Sequence, residues 1–177
     1  MYKFFILTFF TCLLFQEEET ISWHEDLKLE WSDFKGEPKP VGDAVAITAS
    51  GILFGFSATS SSRGLEDYSF NIASHFYPDK SWHVNESLSD IVLNHERLHF
   101  DITELYARKF RQRITNFKFT NAINNEMQSI HDAIIKELGE LQNKYDAETN
   151  HSQILEKQLA WQKFIALELN KLSNYGG

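Results

Sequence analysis

Leu93-Asn94-His95-Glu96-Arg97-Leu98-His99-Phe100-Asp101-Ile102, continuing into Glu104-Leu105-Tyr106-Ala107-Arg108, is the stretch on which the fold turns. Its apolar positions, with His95 among them, recur at helical spacing through Leu88, Ile91, His95, Leu98, Ile102, Leu105, Tyr106 and Phe110. Ser87 and Asp90 supply the pattern of a capping box at the helix start. A long amphipathic helix is expected here, with His95 and His99 on or beside its core-facing stripe.

His95-Glu96-Arg97-Leu98-His99 is an HExxH pattern. Residues four apart on a helix are neighbours, with Cβ atoms roughly 5–6 Å apart. Two imidazoles at that spacing can share a zinc ion at ~2.0–2.1 Å per bond. Glu96 is turned about 100° from His95, beside the ligands rather than on the metal. There a carboxylate can take the proton of a zinc-acidified water. Two inward imidazoles without partners would be costly to bury, and a metal removes that cost.

On either side the signals differ. Leu27, Leu29 and Trp31 alternate with charged residues, Ala44 to Ala49 and Ile52 to Phe56 are β-rich, and Tyr68, Phe70 and Ile72 would share one strand face. Ser57 to Gly64 reads as a Ser-rich turn. Downstream, one helical stripe runs from Ile123 through Met127, Ile134 and Leu138 to Tyr145, and another from Ile154 through Trp161 and Ile165 to Leu172. Tyr145 to Ser152 reads as the connection between them. The expected fold is α+β: a small antiparallel N-terminal sheet, then a zincin-like active-site helix and two further long helices, in a single domain over residues 21–173.

Lys and Arg number 17 and Asp and Glu 25, a formal charge of −8. This balance leaves no electrostatic footprint for nucleic acid. Residues 1–16 combine Lys3 with the apolar run Phe4 to Phe15, followed by an acidic flank, and read as a secretory signal. The run is too short for a bilayer span, which needs ~20 apolar residues. An exported protein without a stable membrane span is therefore expected. Cys12, the only cysteine, lies inside that run and lacks a good lipobox. No thiolate is left in the mature chain to bind metal.

Zinc in hydrolases usually takes a third protein ligand. Leu105 occupies the position where a metzincin has its third His. Glu126 is the nearest Glu on the next helix, and His24, His75, His83, His131 and His151 are the other imidazoles. Of these, His151 sits at a helix start, where it could be aimed at the core.

The chain around His95–Arg108 resembles a family of bacterial exported proteins of unknown function grouped with predicted zincin metallopeptidases. Leu29-Glu30-Trp31-Ser32-Asp33-Phe34-Lys35-Gly36 is similar to its entry motif, Ser81-Trp82 to a site before the active helix, and Tyr145-Asp146 with Thr149 and His151 to its downstream motif. Ser152 stands where that pattern has Gly. The resemblance implies zinc, with His95, Glu96 and His99 in zincin roles and His151 as third ligand. Asp101 and Glu104 are candidates to accept from the zinc-bound imidazoles, or are solvated charges. Asp146 would orient His151 or cap a helix, and Tyr145 would donate to a developing oxyanion or belong to the core. Trp31, Phe34 and Trp82 read as packing anchors.

The activity expected is a secreted zinc metallopeptidase acting on a peptide or protein along an edge strand. The rival readings are a catalytically silent zinc-binding protein and an exported interaction module without metal.

Overall fold

A long β-hairpin and a central helix organise the chain, whose computed structural model describes residues 18–39, 44–84 and 89–177. The expected signal segment, Cys12, Ser87 and Leu88 lie outside the described residues. Strands β3 (Ser50–Ser61) and β4 (Gly64–Phe76) pair antiparallel, with Ser50 opposite Phe76 and Ser61 opposite Gly64. The short β1 (Ile21–Ser22) adds to the other edge of β4. A separate two-stranded ladder joins β2 (Ala46–Ile47) to β5 (Trp82–His83).

Tyr68, Phe70 and Ile72 do share a face, and its inner end continues through Ser74 and Phe76, which are buried. The Ser-rich stretch expected as a turn is mostly strand. Only Ser62 and Arg63 turn the chain, and Gly64, at φ +123°, supplies the backbone conformation that closes the hairpin. The outer part of β3, Ser57 to Ser61, is solvated and held by ladder bonds and pairs such as Ser57 Oγ to Ser69 Oγ (2.9 Å), while Leu65 and Tyr68 of β4 still pack against the core.

Leu27, Leu29 and Trp31 do not form a strand. Leu29 is buried with Phe34, Phe76, Leu93 and Phe100, and Trp31–Asp33 is a 3-10 turn closed by a capping box between Glu30 and Asp33. Alternation here reflects an extended segment laid on a core, which needs no ladder. Gly36 then docks tightly, its N–H donating to the Ser81 carbonyl at 2.8 Å.

Helix α1 (Asp90–Asn116) starts at Ser89, whose Oγ accepts from Val92 N at 3.2 Å. It is the axle of the fold: β3 and β4 pack on it, as do α2 (Ile123–Thr149) and α3 (Leu155–Lys171). Leu98, Ile102, Leu105, Tyr106, Phe110 and Ile114 meet Met127, Ile134 and Leu138 of α2 and Trp161 and Ile165 of α3 in one core. Leu93 and Phe100 face the second core under the N-terminal segment. The sheet, then three helices, is the α+β arrangement expected. No described helix is long and apolar enough to cross a membrane.

A Cβ at position 36 would lie 2.8 Å from the Asp79 carbonyl oxygen and 2.9 Å from that of Ser81. Backbone on both sides cannot yield as a side chain can. Gly36→Ala is expected to lower stability by about 1–3 kcal/mol, read as a lower urea midpoint. An unchanged midpoint would show that the Leu29–Gly36 segment docks loosely.

Candidate metal centre

Helix α1 presents His95 and His99 one turn apart on the flank that faces the end of α2. His95 is 4% exposed, and its ring lies edge-on to that of His99 with centroids 4.9 Å apart. Their Nε2 atoms are 3.3 Å apart. From α2, Asp146 places Oδ1 3.0 Å from His95 Nε2 and 2.8 Å from His99 Nε2. Together these three side chains form a group that could hold a metal ion.

The spacing tests that fit. Two ligands of a tetrahedral ion with bonds of ~2.0–2.1 Å stand roughly 3.3 Å apart, as the two Nε2 atoms do. Three atoms at the observed separations lie about 1.8 Å from a common centre, so an ion ~1 Å above their plane reaches all three. Asp146 Oδ1 is slightly close and would move back by a few tenths of an ångström.

Electrostatics match. Burial raises the pKa of Asp146, but its hydrogen bonds to His95 and His99 and their charges outweigh that and hold the carboxyl well below the usual carboxylate range. Burial would lower the pKa of His99. The hydrogen bond to Asp146 and the negative charges of Glu96 and Asp146 raise it more.

Glu96, turned off the ligand face, is 5% exposed, and its negative charge helps raise the pKa of His99. Thr48 Oγ1 donates to the Glu96 carbonyl at 3.1 Å, bringing the chain between β2 and β3 against this turn of α1. Arg97 points elsewhere: its Nε donates to the Leu29 carbonyl at 2.6 Å and its Nη1 to Asn94 at 3.0 Å. The charge inside the motif thus fastens the N-terminal segment.

Several expected roles are redistributed. His151 is exposed and outside the group; Asp146 is in it instead of orienting His151. The reason is helix length. Helix α2 continues through Tyr145 and Asp146 to Thr149, so Asp146 is held on a rigid turn beside α1, while His151 lies beyond the helix end in a left-handed turn with φ 49°. Tyr145 is fully buried and stacks on the His95 ring at 4.5 Å. Its hydroxyl donates to Gln158 Oε1 at 2.7 Å, and burial pushes it far above the usual phenol range. It is a platform for His95, with no hydroxyl free for an oxyanion.

Asp101 and Glu104 touch neither imidazole. Asp101 accepts from Trp23 Nε1 at 2.8 Å, and burial pushes its carboxyl up. It lines a cleft of about 540 Å³ with Trp23, Arg97 and Arg108, which shares no residue with the metal group. Glu104 is buried, accepting from Ser74 Oγ (2.6 Å), Arg108 Nε (2.9 Å) and Arg111 Nη1 (3.2 Å). Glu126 binds the amide and hydroxyl of Thr120, and His131 stacks on Phe54. His75 bonds Ser22, and His83 packs on Trp31. Gln158, at the start of α3, touches His95 and was not singled out; nothing in its local pattern separates it from a surface glutamine.

Residues 78–152 match the family described as a bacterial protein of unknown function (DUF922). The match covers less than half of the chain but includes all of α1 and α2. No curated protein matches the chain, and no solved structure does.

Because His99 holds its proton above the ordinary range near pH 6.5, metal uptake must displace that proton. In chelator-treated protein its ion pair with Asp146 contributes stability fully below the unfolded His value and loses it as pH rises through the raised folded value. Metal affinity is therefore expected to climb between about pH 6 and 8, by up to tenfold per unit, with release of about one proton. Calorimetric titration in buffers of different ionisation enthalpy checks this; a binding enthalpy independent of buffer contradicts it.

Proposed function

We propose that the chain is an exported zinc-dependent metallopeptidase of the zincin type, with His95, His99 and Asp146 holding zinc and Glu96 as general base. The observation that supports this reading best is the convergence of three ligand atoms, from His95, His99 and Asp146, at near-tetrahedral spacing. The donor set of two imidazoles and one carboxylate suits zinc and leaves a fourth position for water. When bound, zinc supplies Lewis-acid polarisation of a carbonyl and an acidified water.

Each residue then has a task. Asp146 offsets one of the two positive charges of the metal and draws α2 against α1. Glu96 takes the proton of the attacking water and passes it to the departing amine as the C–N bond breaks. Its charge acts on His99, which places it beside the ligand pair. The free edge of β3 offers the backbone groups for an extended peptide, since β4 covers only its other side among the described residues. That strand starts beside the site: Ser50 Oγ lies 2.7 Å from Thr103 Oγ1, one turn beyond His99.

One observation favours a silent zinc-binding protein instead. The Tyr145 hydroxyl, the expected partner for a developing oxyanion, is committed to Gln158.

Glu96→Gln is expected to keep one zinc per chain and to lower kcat/KM on a peptide library by about 10²–10⁴-fold. Metal analysis and a fluorogenic peptide assay read the two quantities separately. Hydrolysis at the wild-type rate by the variant would overturn the general-base assignment. Stoichiometric zinc in the wild type with no turnover of any peptide would establish the silent reading.

Asp146→Asn removes the charge and keeps the shape. Zinc affinity is expected to fall by at least 10-fold, with His95 and His99 still in place. An unchanged affinity in a chelator competition would show that Asp146 is not a ligand, and His151→Ala in the same assay tests the alternative.

A further inference from the structure

Helix α3 contributes one buried polar side chain to the metal group. Gln158 is 1% exposed and lies 63 residues from His95 in sequence. Its Oε1 is 3.1 Å from His95 Nδ1 and accepts the Tyr145 hydroxyl at 2.7 Å. Its Nε2 is buried without a partner among the described residues.

We infer that Gln158 is a positioning residue that fixes the tilt of His95 and keeps the proton on its Nδ1, so that Nε2, the nitrogen facing Asp146 Oδ1 and His99 Nε2, is the one that gives up its proton to a metal. The inference rests on the reading that His95, His99 and Asp146 hold a metal. A neutral imidazole carries one N–H, and the hydrogen bond made by one ring nitrogen decides what the other can do. With Nδ1–H donated to Gln158, His95 Nε2 is left as the ligand atom. The opposite amide orientation would donate to Nδ1 and put an N–H where the ion belongs.

Two further observations agree. The Tyr145 hydroxyl lies 2.7 Å from the same oxygen and donates to it, so the carbonyl has two donors, His95 Nδ1–H and the phenol. Tyr145 also stacks on the His95 ring with planes 21° apart, so one side chain supports the ring and its hydroxyl orients the ring's acceptor. The orphaned Nε2 is costly to bury, and an apolar side chain of similar volume would avoid that cost. What only the amide supplies is a carbonyl oxygen facing Nδ1. Metal-bound His rings usually have such an acceptor, often a carboxylate. Here it is neutral, which suits a site already holding Asp146 and Glu96. Gln158 lies beyond the matched residues 78–152, so the site is completed from outside that segment.

The experiment compares wild type, Gln158→Met and Gln158→Glu in zinc competition against a chromophoric chelator, with visible spectra of the cobalt-loaded proteins. The expected result is zinc binding 10–100-fold weaker in Gln158→Met with altered cobalt bands, and wild-type affinity or better in Gln158→Glu, which keeps the acceptor. Equal affinities in all three, or equal losses in both variants, would overturn the positioning role, even where melting temperatures fall. If Gln158→Met does not fold, imidazole 15N NMR of the wild type decides. In the zinc-loaded protein, Nδ1–H on His95 with the metal on Nε2 supports the inference, and metal on Nδ1, or an Nδ1 without a proton, overturns it. A wild type that binds no zinc sinks the metal reading and this inference with it, whereas zinc binding indifferent to residue 158 sinks the inference alone.

Discussion

Two imidazoles one helical turn apart, one of them almost wholly buried, are the constraint around which the rest of the molecule is arranged. Buried ring nitrogens need partners, because each orphan costs roughly 1–3 kcal/mol. Helix α1 cannot satisfy them from its own backbone. The last turns of α2 supply Asp146 to both Nε2 atoms, and the first turns of α3 supply Gln158 to His95 Nδ1. Gln142 adds a hydrogen bond to the His99 carbonyl and another to Thr103. The packing of α2 and α3 against α1 is thus fixed by polar contacts at the site as much as by the apolar core.

The charged residues of α1 divide by face. His95, His99 and Thr103 look toward α2. Arg97, Asp101 and Arg108 lie on the other flank, where Trp23 donates to Asp101 and stacks under Arg108 with 5.0 Å from the guanidinium to the ring. Glu104 sits between them, held by two arginines and Ser74. Breaking such a buried network by removing one partner is expensive, of the order of 3–5 kcal/mol, because it strands the others. Acids that follow a metal motif in sequence therefore serve the metal only if they are near its face. Asp101 is six residues from His95, about 240° around the helix, which turns it away from the site.

The helices and the HExxH face were legible because both depend on local periodicity. From Leu98 to Phe110 the apolar stripe of α1 returns as the core it shares with α2 and α3, whereas Ile91 is exposed and His95 turns to the metal group. Leu27 to Trp31 was misleading because burying alternate residues requires only an extended backbone on a core, and a ladder partner is a separate, non-local fact. Ser57 to Gly64 misled in the opposite sense, since a hairpin arm outside the core needs no apolar signature. Gln158 was invisible for a third reason: its role depends on the angle at which α3 returns to α1, which no local pattern encodes.

That angle traces to the turn after α2. Asn150, His151 and Ser152 carry φ of 47°, 49° and 73°, three left-handed residues in succession with no glycine among them. For His and Ser such backbone costs about 1–2 kcal/mol each, while Asn tolerates it better. Local bonds hold it: His151 N donates to the Asp146 carbonyl at 3.0 Å and Ile154 N to that of Thr149 at 2.8 Å. Thr149 Oγ1 donates to the Tyr145 carbonyl at 2.8 Å. At Ser152, where the resemblance puts Gly, the side chain is buried although the backbone favours glycine. The strain is offset because the same turn does two things at once. It ends α2 just after Asp146 has reached the imidazoles, and it reverses the chain tightly enough for Gln158 to come back to His95. A looser loop would relieve the backbone but leave His95 Nδ1 without its acceptor, so the cost of the turn and the order of the site are linked.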